Sequence, residues 1–242
     1  MQKINDLNIN FIRYGKLNKP TIVFLHGWGQ NIEMMKPIAD SFVNDNDLLI
    51  IDLPGYGKSE EPKFEYTVYD YVEVIKKLCD DLKISNPILV GHSFGGKIAL
   101  TYASKYKTEK LILFGSPFKK EIQHVSLKLK LLKQLKKIPG INKLENIAKK
   151  YIGSTDYRNA TPIMRKILVN TVNLDITNII KNITCPTLII WGTNDEAVPL
   201  ERAYELEKLI KNSAVIEYEN RSHYAYLEEK IKTINILKSF IN

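Results

Sequence analysis

The stretch that most constrains the fold is Gly91–Gly96, which reads Gly-His-Ser-Phe-Gly-Gly. An apolar segment at 87–90 precedes it, and a segment with a helical pattern at 97–103 follows. Strand, sharp turn and helix form the setting in which a Gly-x-Ser-x-Gly sequence exposes its serine at the edge of a sheet. The glycines are needed because so tight a turn brings the strand and helix backbones together and strains the serine. The sequence therefore predicts that Ser93 projects its hydroxyl above the sheet, against the simpler alternative of a glycine-rich surface turn.

Continuous apolar runs, typical of strands covered on both faces, recur along the chain and alternate with helical patterns. The runs are 21–25, 48–51, 87–90, 111–114 and 186–191, and the main helical patterns are 32–42, 66–82, 201–210 and 226–240. Residues 8–14 alternate as a half-buried strand does, and 214–218 form a further short strand. Strands that alternate with helices predict an α/β fold with a parallel sheet.

The alternation stops between 117 and 183, where helical patterns occur without a strong strand. We interpret this segment as an all-helical cap, or lid, inserted over the carboxyl ends of the strands, where open α/β sheets bind ligands. Residues 1–116 and 184–242 then form the core. The segment holds 14 of the 35 Lys and Arg residues but 4 of the 27 Asp and Glu residues, so its net charge is +10 and that of the rest is −2.

Length and composition limit the classes of protein that the chain can be. At 242 residues it is one domain of ordinary size with room for an insertion. No apolar run reaches about 18 residues, and the first residues lack the apolar core of a signal peptide, so we expect no transmembrane segment and a cytoplasmic location. Cys79 and Cys185 are two isolated cysteines, which predict neither a disulfide framework nor a metal site.

A serine hydroxyl becomes an effective nucleophile when a base removes its proton and a third group orients that base. Among the four histidines, His26 lies within the first glycine turn, His92 is beside the serine, and His124 is in the basic segment, where a solvated position is expected. His223 follows the last strand in a loop that should return to the carboxyl edge of the sheet. We predict that His223 is the base.

The orienting acid is predicted to be Asp195, which closes the strand at 186–191. The order Ser93, Asp195, His223 is the one that this strand–turn–helix architecture uses. Glu196 is the alternative acid. Asp52 also ends a strand, but it precedes the serine and is better interpreted as a carboxylate that organises its own loop.

Acyl transfer also requires donors for the developing oxyanion. One is predicted to be the backbone N–H of Phe94, the residue after the nucleophile, and the other comes from the turn after the strand at 21–25. We assign the second to the backbone N–H of Trp28, within His-Gly-Trp-Gly at 26–29, and expect the Trp28 and Phe94 side chains to contact substrate.

These motifs together resemble those of the α/β-hydrolases, in particular esterase-like serine hydrolases with a helical cap, and most closely the pimeloyl-carrier-protein methyl ester esterases. The resemblance spans nearly the whole chain and rests on five motifs in order: 26–29, 52–59, 91–96, 191–195, and His223 with Glu228. It implies an eight-stranded, mostly parallel sheet flanked by helices, a cap inserted after the sixth strand, and no cofactor. The sequence departs from the pattern at Arg221-Ser222-His223, which lacks the glycine often found before the histidine. A serine nucleophile argues against the dehalogenase and epoxide hydrolase branches, which use an aspartate.

Three functions are consistent with the sequence. The first is hydrolysis of a small-molecule carboxylic ester or thioester, with an anionic or carrier-protein-linked acyl group favoured by the basic cap. The second is hydrolysis of a carbon–carbon bond, or a related lyase reaction, with the same triad. The third is a membrane-surface or partner-binding protein with an incidental triad, favoured by apolar residues that repeat between the lysines of 119–137. The simpler interpretation of that pattern, which we prefer, is an apolar stripe that packs on the domain while the lysines are solvated. No recognised nucleic-acid-binding motif accompanies the basic charge.

Overall fold

The computed structural model of the protein describes residues 1–120 and 155–242. Strands and helices alternate along most of this length. The strands are β1 Gln2–Ile4, β2 Leu7–Ile9, β3 Phe11–Gly15, β4 Thr21–Leu25, β5 Asp47–Ile51, β6 Ile88–His92, β7 Lys110–Phe114, β8 Thr187–Gly192 and β9 Ser213–Tyr218. The helices are α1 Ile32–Ala39, α2 Val68–Asp81, α3 Phe94–Lys105, α4 Thr155–Asn159, α5 Pro162–Asn173, α6 Thr177–Ile180, α7 Glu201–Leu209, α8 Ala225–Glu228 and α9 Lys230–Ile241.

The main sheet has the strand order β3-β5-β4-β6-β7-β8-β9. β3 is antiparallel to β5, and every other neighbouring pair is parallel. The mostly parallel sheet flanked by helices confirms the predicted fold class. Because the parallel strands share one direction, the loops after β4, β6, β7 and β8 meet at a common carboxyl edge.

The amino-terminal strands differ from the sequence-based prediction. The alternating pattern at 8–14 predicts a single strand, but the chain breaks at Asn10, whose backbone N–H and side-chain amide bond Ser59 and Asp52. The residues before the break form β1 and β2, a separate two-stranded hairpin that turns at Asn5 and Asp6, both with positive φ. Within the described residues the main sheet therefore has seven strands, where eight were expected.

Two apolar layers cover the two faces of the sheet. One face packs against α2 and α3, together with side chains of α5, α6 and α7. The other packs against α1 and α9. The parallel strands β4 to β8 are buried almost throughout, which explains their continuous apolar runs.

A local signal in the sequence explains where the longest described helix begins. α2 starts after Thr67, whose side chain and that of Asp70 bond reciprocally to the backbone as a capping box. The single helix predicted at 226–240 is two helices, α8 and α9, which meet at Glu229.

A helical region follows the strand that ends at Phe114, as predicted. Its described part contains α4, α5 and α6. Most of the basic segment 119–137, including Lys133, Lys136 and Lys137, lies outside the described residues, and the division of the chain into core and cap remains a prediction. Across 1–120 and 155–242, each helix is too short or too polar to cross a bilayer.

Candidate active site

Ser93 lies in the turn between β6 and α3, with φ +51° and ψ −115°. This conformation is strained for a residue with a side chain, and such strain persists where the surrounding packing enforces it. The packing here is close: a Cβ on Gly91 would lie 2.5 Å from the Cα of Gly96, and one on Gly95 would lie 2.2 Å from the carbonyl oxygen of Leu25. The glycines of the turn are therefore required by backbone contact, as the sequence predicts.

His223 and Asp195 form a direct hydrogen bond of 2.7 Å between the histidine Nδ1 and the carboxylate Oδ2. The Asp195 side chain is fully buried, and its Oδ1 accepts hydrogen bonds from the backbone N–H groups of Ala197 and Val198, each at 2.9 Å. Because both carboxylate oxygens have donors, the carboxylate is fixed in position. With Nδ1 occupied by Asp195, Nε2 is the nitrogen of His223 that remains for other chemistry.

Two glycines make room for this pair and for the loop that precedes His223. A Cβ on Gly115, which follows β7 with φ +50°, would lie 2.9 Å from Nδ1 of His223 and 3.1 Å from Oδ2 of Asp195. A Cβ on Gly192 would lie 2.2 Å from the carbonyl oxygen of Arg221. The loop before His223 turns at Asn220, which has φ +58°. Asn220 supplies the left-handed conformation upstream, in a loop that has no glycine immediately before the histidine.

Glu228 holds the same loop from the other side. Its carboxylate accepts hydrogen bonds from the backbone N–H of Ser222, at 3.1 Å, and from the Ser222 hydroxyl. This explains why Glu228 accompanies His223 in the motif.

Ser93 and His223 line one cavity of about 600 Å³ at the carboxyl edge of the sheet. The other described residues around it are Gly27, Trp28, Gln30, His92, Asn194, Glu196, Ala197, Ser222 and Tyr224. Apart from the histidines, Glu196 is the one acidic or basic side chain among these described lining residues. A volume of this size suits a small-molecule ligand.

Aromatic side chains pack beside the turn that carries Ser93. The Trp28 ring contacts both Phe94 and Tyr56, with ring centroids 5.3 Å apart in each case. The phenyl ring of Tyr71 packs against Phe94 from the α2 side, at 5.0 Å. The two residues predicted as oxyanion donors thus pack side chain to side chain, which fixes their backbones relative to each other.

His26 has a structural environment. Its Nε2 accepts a hydrogen bond from the backbone N–H of Leu53 at 3.0 Å, and its Nδ1 donates to the carbonyl oxygen of Gly27 at 2.7 Å. Burial lowers the pKa of His26 to about 4, so the ring is neutral at neutral pH. His26 therefore ties the turn after β4 to the loop after β5. His124 lies outside the described residues.

Asp52 organises its own loop, as predicted from its position in the sequence. Its carboxylate accepts hydrogen bonds from the backbone N–H groups of Ile32 and Lys58 and from the Asn10 amide. Glu196, the alternative acid, is exposed at the cavity wall, and it is Asp195 that bonds His223.

Sequence reasoning missed several residues that shape the site. Gly115, which follows β7 and makes room for the His223–Asp195 pair, was not singled out. Gln30, Asn194 and Tyr224 of the cavity wall were not singled out. The available signal was their position, because each lies in a loop at the carboxyl end of a strand, where ligands bind in such sheets.

A family model described as the alpha/beta hydrolase fold matches residues 20–123 and 112–230, which together cover most of the chain. The chain belongs to the α/β-hydrolase family. Membership supports an enzyme of the hydrolase class and agrees with the fold and with the order of the motifs.

Individual α/β-hydrolases resemble the chain over nearly its full length. A pimeloyl-[acyl-carrier protein] methyl ester esterase of Wigglesworthia glossinidia brevipalpis is 32% identical over 249 residues, covering 91% of this chain and 93% of the relative. A proline iminopeptidase of Saccharolobus solfataricus is 28% identical over 288 residues, covering 100% and 91%. The solved structure of a meta-cleavage product hydrolase from Pseudomonas fluorescens superposes with a TM-score of 0.75 at 19% identity, covering 98% and 95%, and supports the fold alone.

Proposed function

We propose that this α/β-hydrolase cleaves a carboxylic ester or thioester through an acyl-enzyme intermediate, with Ser93, His223 and Asp195 as a catalytic triad. The observation that carries the proposal is the 2.7 Å bond between His223 and a fully buried, backbone-anchored Asp195, beside a serine in a strained turn on the same cavity. A nucleophile, a base and a group that orients the base are the three parts that acyl transfer requires.

In the first half-reaction, Oγ of Ser93 attacks the acyl carbon while Nε2 of His223 takes the hydroxyl proton. The imidazolium that forms is stabilised by the adjacent Asp195 carboxylate, which also fixes the proton of the neutral ring on Nδ1. The backbone N–H groups of Trp28 and Phe94 donate to the oxyanion of the tetrahedral intermediate. Collapse of that intermediate breaks the bond to the leaving group, which departs with the proton from His223.

In the second half-reaction, His223 removes a proton from water as the water attacks the acyl-enzyme. Collapse of the second intermediate returns the proton to Oγ of Ser93 and releases the carboxylic acid. One water is consumed, and the residues return to their starting protonation states.

The described cavity wall supports an uncharged acyl group. Trp28 is the large apolar side chain on this wall, packed against Phe94, and Glu196 would repel a carboxylate placed against it. The positive charge of the chain lies in the segment 117–183. We therefore infer that the acyl group itself is uncharged. Any preference for anionic substrates then comes from long-range attraction between the basic segment and a negatively charged carrier, such as an acidic carrier protein.

Covalent labelling tests the nucleophile. An organophosphonate should attach to Ser93, and Ser93→Ala should lower kcat by up to about 10⁶-fold, as loss of a triad nucleophile does in other serine hydrolases. Ser104→Ala, on the far end of α3, is the matched control and should keep wild-type turnover and labelling. Mass spectrometry that places the label on Ser116 or Ser222 would contradict the assignment.

A substrate panel separates ester hydrolysis from carbon–carbon bond cleavage. p-Nitrophenyl esters of increasing acyl length should be hydrolysed with an optimum at short or medium length, because the cavity is about 600 Å³. A dienoic diketone is assayed beside them. Turnover of the diketone without turnover of any ester would replace the proposed reaction by the alternative.

A further inference from the structure

A chain of polar side chains links the three loops that carry the proposed catalytic groups. Gln30 lies after the turn that contains Trp28, His92 precedes Ser93, and Tyr224 follows His223. The Gln30 carbonyl oxygen Oε1 accepts a hydrogen bond from the backbone N–H of Gly27 at 2.9 Å, and its Nε2 donates to the Tyr224 hydroxyl at 3.2 Å. The turn at 26–29, here called the oxyanion turn because it contains Trp28, is thereby joined to the loop that carries His223.

His92 makes a second connection between the same loops. Its Nε2 lies 3.1 Å from the carbonyl oxygen of His223, and its Nδ1 lies 3.2 Å from Oε1 of Gln30. The fit is close, because a Cβ on Gly27 would lie 2.9 Å from Nδ1 of His92 and 3.0 Å from Oε1 of Gln30. Gly27 is thus a glycine because the two side chains occupy the space beside it.

Both neighbours of the His92 ring are hydrogen-bond acceptors. The donation from the Gly27 N–H fixes which end of the Gln30 amide carries the oxygen, so Nδ1 faces an acceptor, and Nε2 faces a carbonyl. Burial of the ring, together with the nearby His223, lowers the pKa of His92 to about 3. The neutral ring has one N–H and can donate to one of the two acceptors.

The proton is better placed on Nε2. Oε1 of Gln30 already receives the Gly27 N–H, whereas the His223 carbonyl has no donor other than His92 among the described residues. A partly buried carbonyl left without a donor loses a hydrogen bond that water would have supplied.

We propose that His92, protonated on Nε2, and Gln30 are positioning residues that hold the backbone of His223 in register with the oxyanion turn. The inference rests on the proposed hydrolase function. It adds that His92, the residue before the proposed nucleophile, positions the proposed base by a hydrogen bond to the backbone carbonyl of His223. A neutral His92 also avoids placing a second positive charge beside His223, whose ring centroid is 4.8 Å away, when His223 becomes an imidazolium.

Substitutions that mimic one ring nitrogen at a time test the role. The amide of a glutamine can reach the Nε2 position of the ring, and the shorter asparagine can reach only the Nδ1 position. With a p-nitrophenyl ester as substrate, His92→Gln should keep kcat within about threefold of wild type. His92→Asn and His92→Leu should lower kcat by about 10- to 100-fold with little change in KM, which is the size of effect expected for a misplaced catalytic group. Equal losses in all three variants, or no loss in His92→Leu, would overturn the proposal.

A double-mutant cycle and a remote control distinguish positioning from general destabilisation. If His92 and Gln30 act as one bridge, the combined effect of His92→Asn and Gln30→Met on kcat should be smaller than the product of the separate effects, and additive effects would contradict a shared bridge. The control is Asn46→Ala, which removes a buried polar side chain just before β5, at the opposite edge of the sheet. It should lower thermal stability without lowering kcat.

An NMR measurement tests the bridge without enzymatic turnover. In protein with ¹⁵N-labelled histidine, long-range ¹H–¹⁵N spectra distinguish a protonated ring nitrogen from an unprotonated one. A proton on Nε2 of His92 supports the bridge, and a proton on Nδ1 overturns it. Failure of the wild-type protein to react with the phosphonate or to cleave any ester would refute the proposed function, and the NMR result would still decide the bridge.

Discussion

The parallel strands of the central sheet begin at one edge, here called the amino edge, and end at the carboxyl edge. A carboxylate is completely buried at each of these edges, but the hydrogen-bond donors around the two carboxylates differ. At the amino edge, Asp47 accepts hydrogen bonds from Nε and Nη2 of Arg13 and from the Thr21 hydroxyl. At the carboxyl edge, Asp195 accepts from two backbone N–H groups and from His223. Both carboxylates have hydrogen-bond donors for both oxygens.

The difference lies in the charge of the partners. A guanidinium is always positive, so the charge of Asp47 is balanced throughout and the pair serves to hold β3, β4 and β5 together. Backbone N–H groups and an imidazole carry no permanent positive charge, so in the proposed mechanism Asp195 gains a cationic partner only when His223 takes the proton of Ser93. Under the proposed function, burial of Asp47 therefore supports stability, whereas burial of Asp195 supports the transient positive charge of His223.

The largest expected difference between the two carboxylates is the effect on kcat when the charge of Asp195 is removed. Asp195→Asn should lower kcat by about 10⁴-fold, because the amide would favour the wrong tautomer of His223, while its oxygen can still accept from Ala197 and Val198 and keep the fold. Asp47→Asn is the matched control: it should leave kcat unchanged and lower the free energy of unfolding by about 3 kcal/mol. Ester kinetics and chemical denaturation of both variants measure the two quantities. A nearly unchanged Asp195→Asn beside an inactive Glu196→Gln would transfer the role to Glu196.

A smaller effect distinguishes the edges by their response to acid. His26 and His92 are buried at the carboxyl edge, and burial lowers the pKa of His26 to about 4 and that of His92 to about 3. The unfolded chain takes up protons below about pH 6.5 that these folded rings do not bind, so the free energy of unfolding should fall as the pH falls from about 6.5 to 4. Each histidine contributes a slope of up to about 1.4 kcal/mol per pH unit.

Denaturation at several pH values measures this slope for three proteins. His92→Gln should lose one histidine's share of it, and Asn46→Ala, at the amino edge, should keep the wild-type slope. If His92→Gln and the wild type show the same slope, the pH dependence of the free energy of unfolding does not come from the buried His92 at the carboxyl edge.

The smallest expected effect concerns charge far from the reacting atoms. Lys120 and Lys181 are exposed in the positively charged helical region, and Lys16 and Lys211 are exposed near the amino edge. If the helical region attracts an anionic carrier, salt should lower kcat/KM for a carrier-linked ester more than for a neutral ester. Replacing Lys120 and Lys181 by Gln should lower the first value by about threefold at low salt, because attraction of this kind acts on encounter rates. The same change at Lys16 and Lys211 should have no effect, and an equal response of both substrates to salt would argue against attraction.

The parts of the site that could be predicted are those encoded by short stretches of sequence. The turn around Ser93 was predictable because its glycines and the flanking strand and helix are contiguous, and Asp195 because it lies in the short loop that follows a buried strand. The contact between His92 and the His223 carbonyl spans 131 positions, and that between His92 and Gln30 spans 62. No local pattern encodes such distant pairs, which depend on how the strands are ordered in the sheet.

The same reasoning explains the difference in the fold. The alternation at 8–14 is uninterrupted in sequence, and the break at Asn10 depends on Asp52 and Ser59, more than 40 positions away. Hydropathy alone could not locate a break that long-range hydrogen bonds impose.

The helix that begins after Ser93 also carries a buried lysine, Lys97, which restricts the movement of α5. The ammonium of Lys97 donates to the carbonyl oxygens of Thr171, at 2.8 Å, and Leu174, where α5 ends. For α5 to move away from the core at this end, both bonds must break, and the buried ammonium of Lys97 loses two carbonyl acceptors, which is costly because a buried charge depends on its hydrogen-bond partners. The carboxyl end of α5 is therefore coupled to the helix that follows Ser93, and its backbone amides should exchange with solvent as slowly as those of the core.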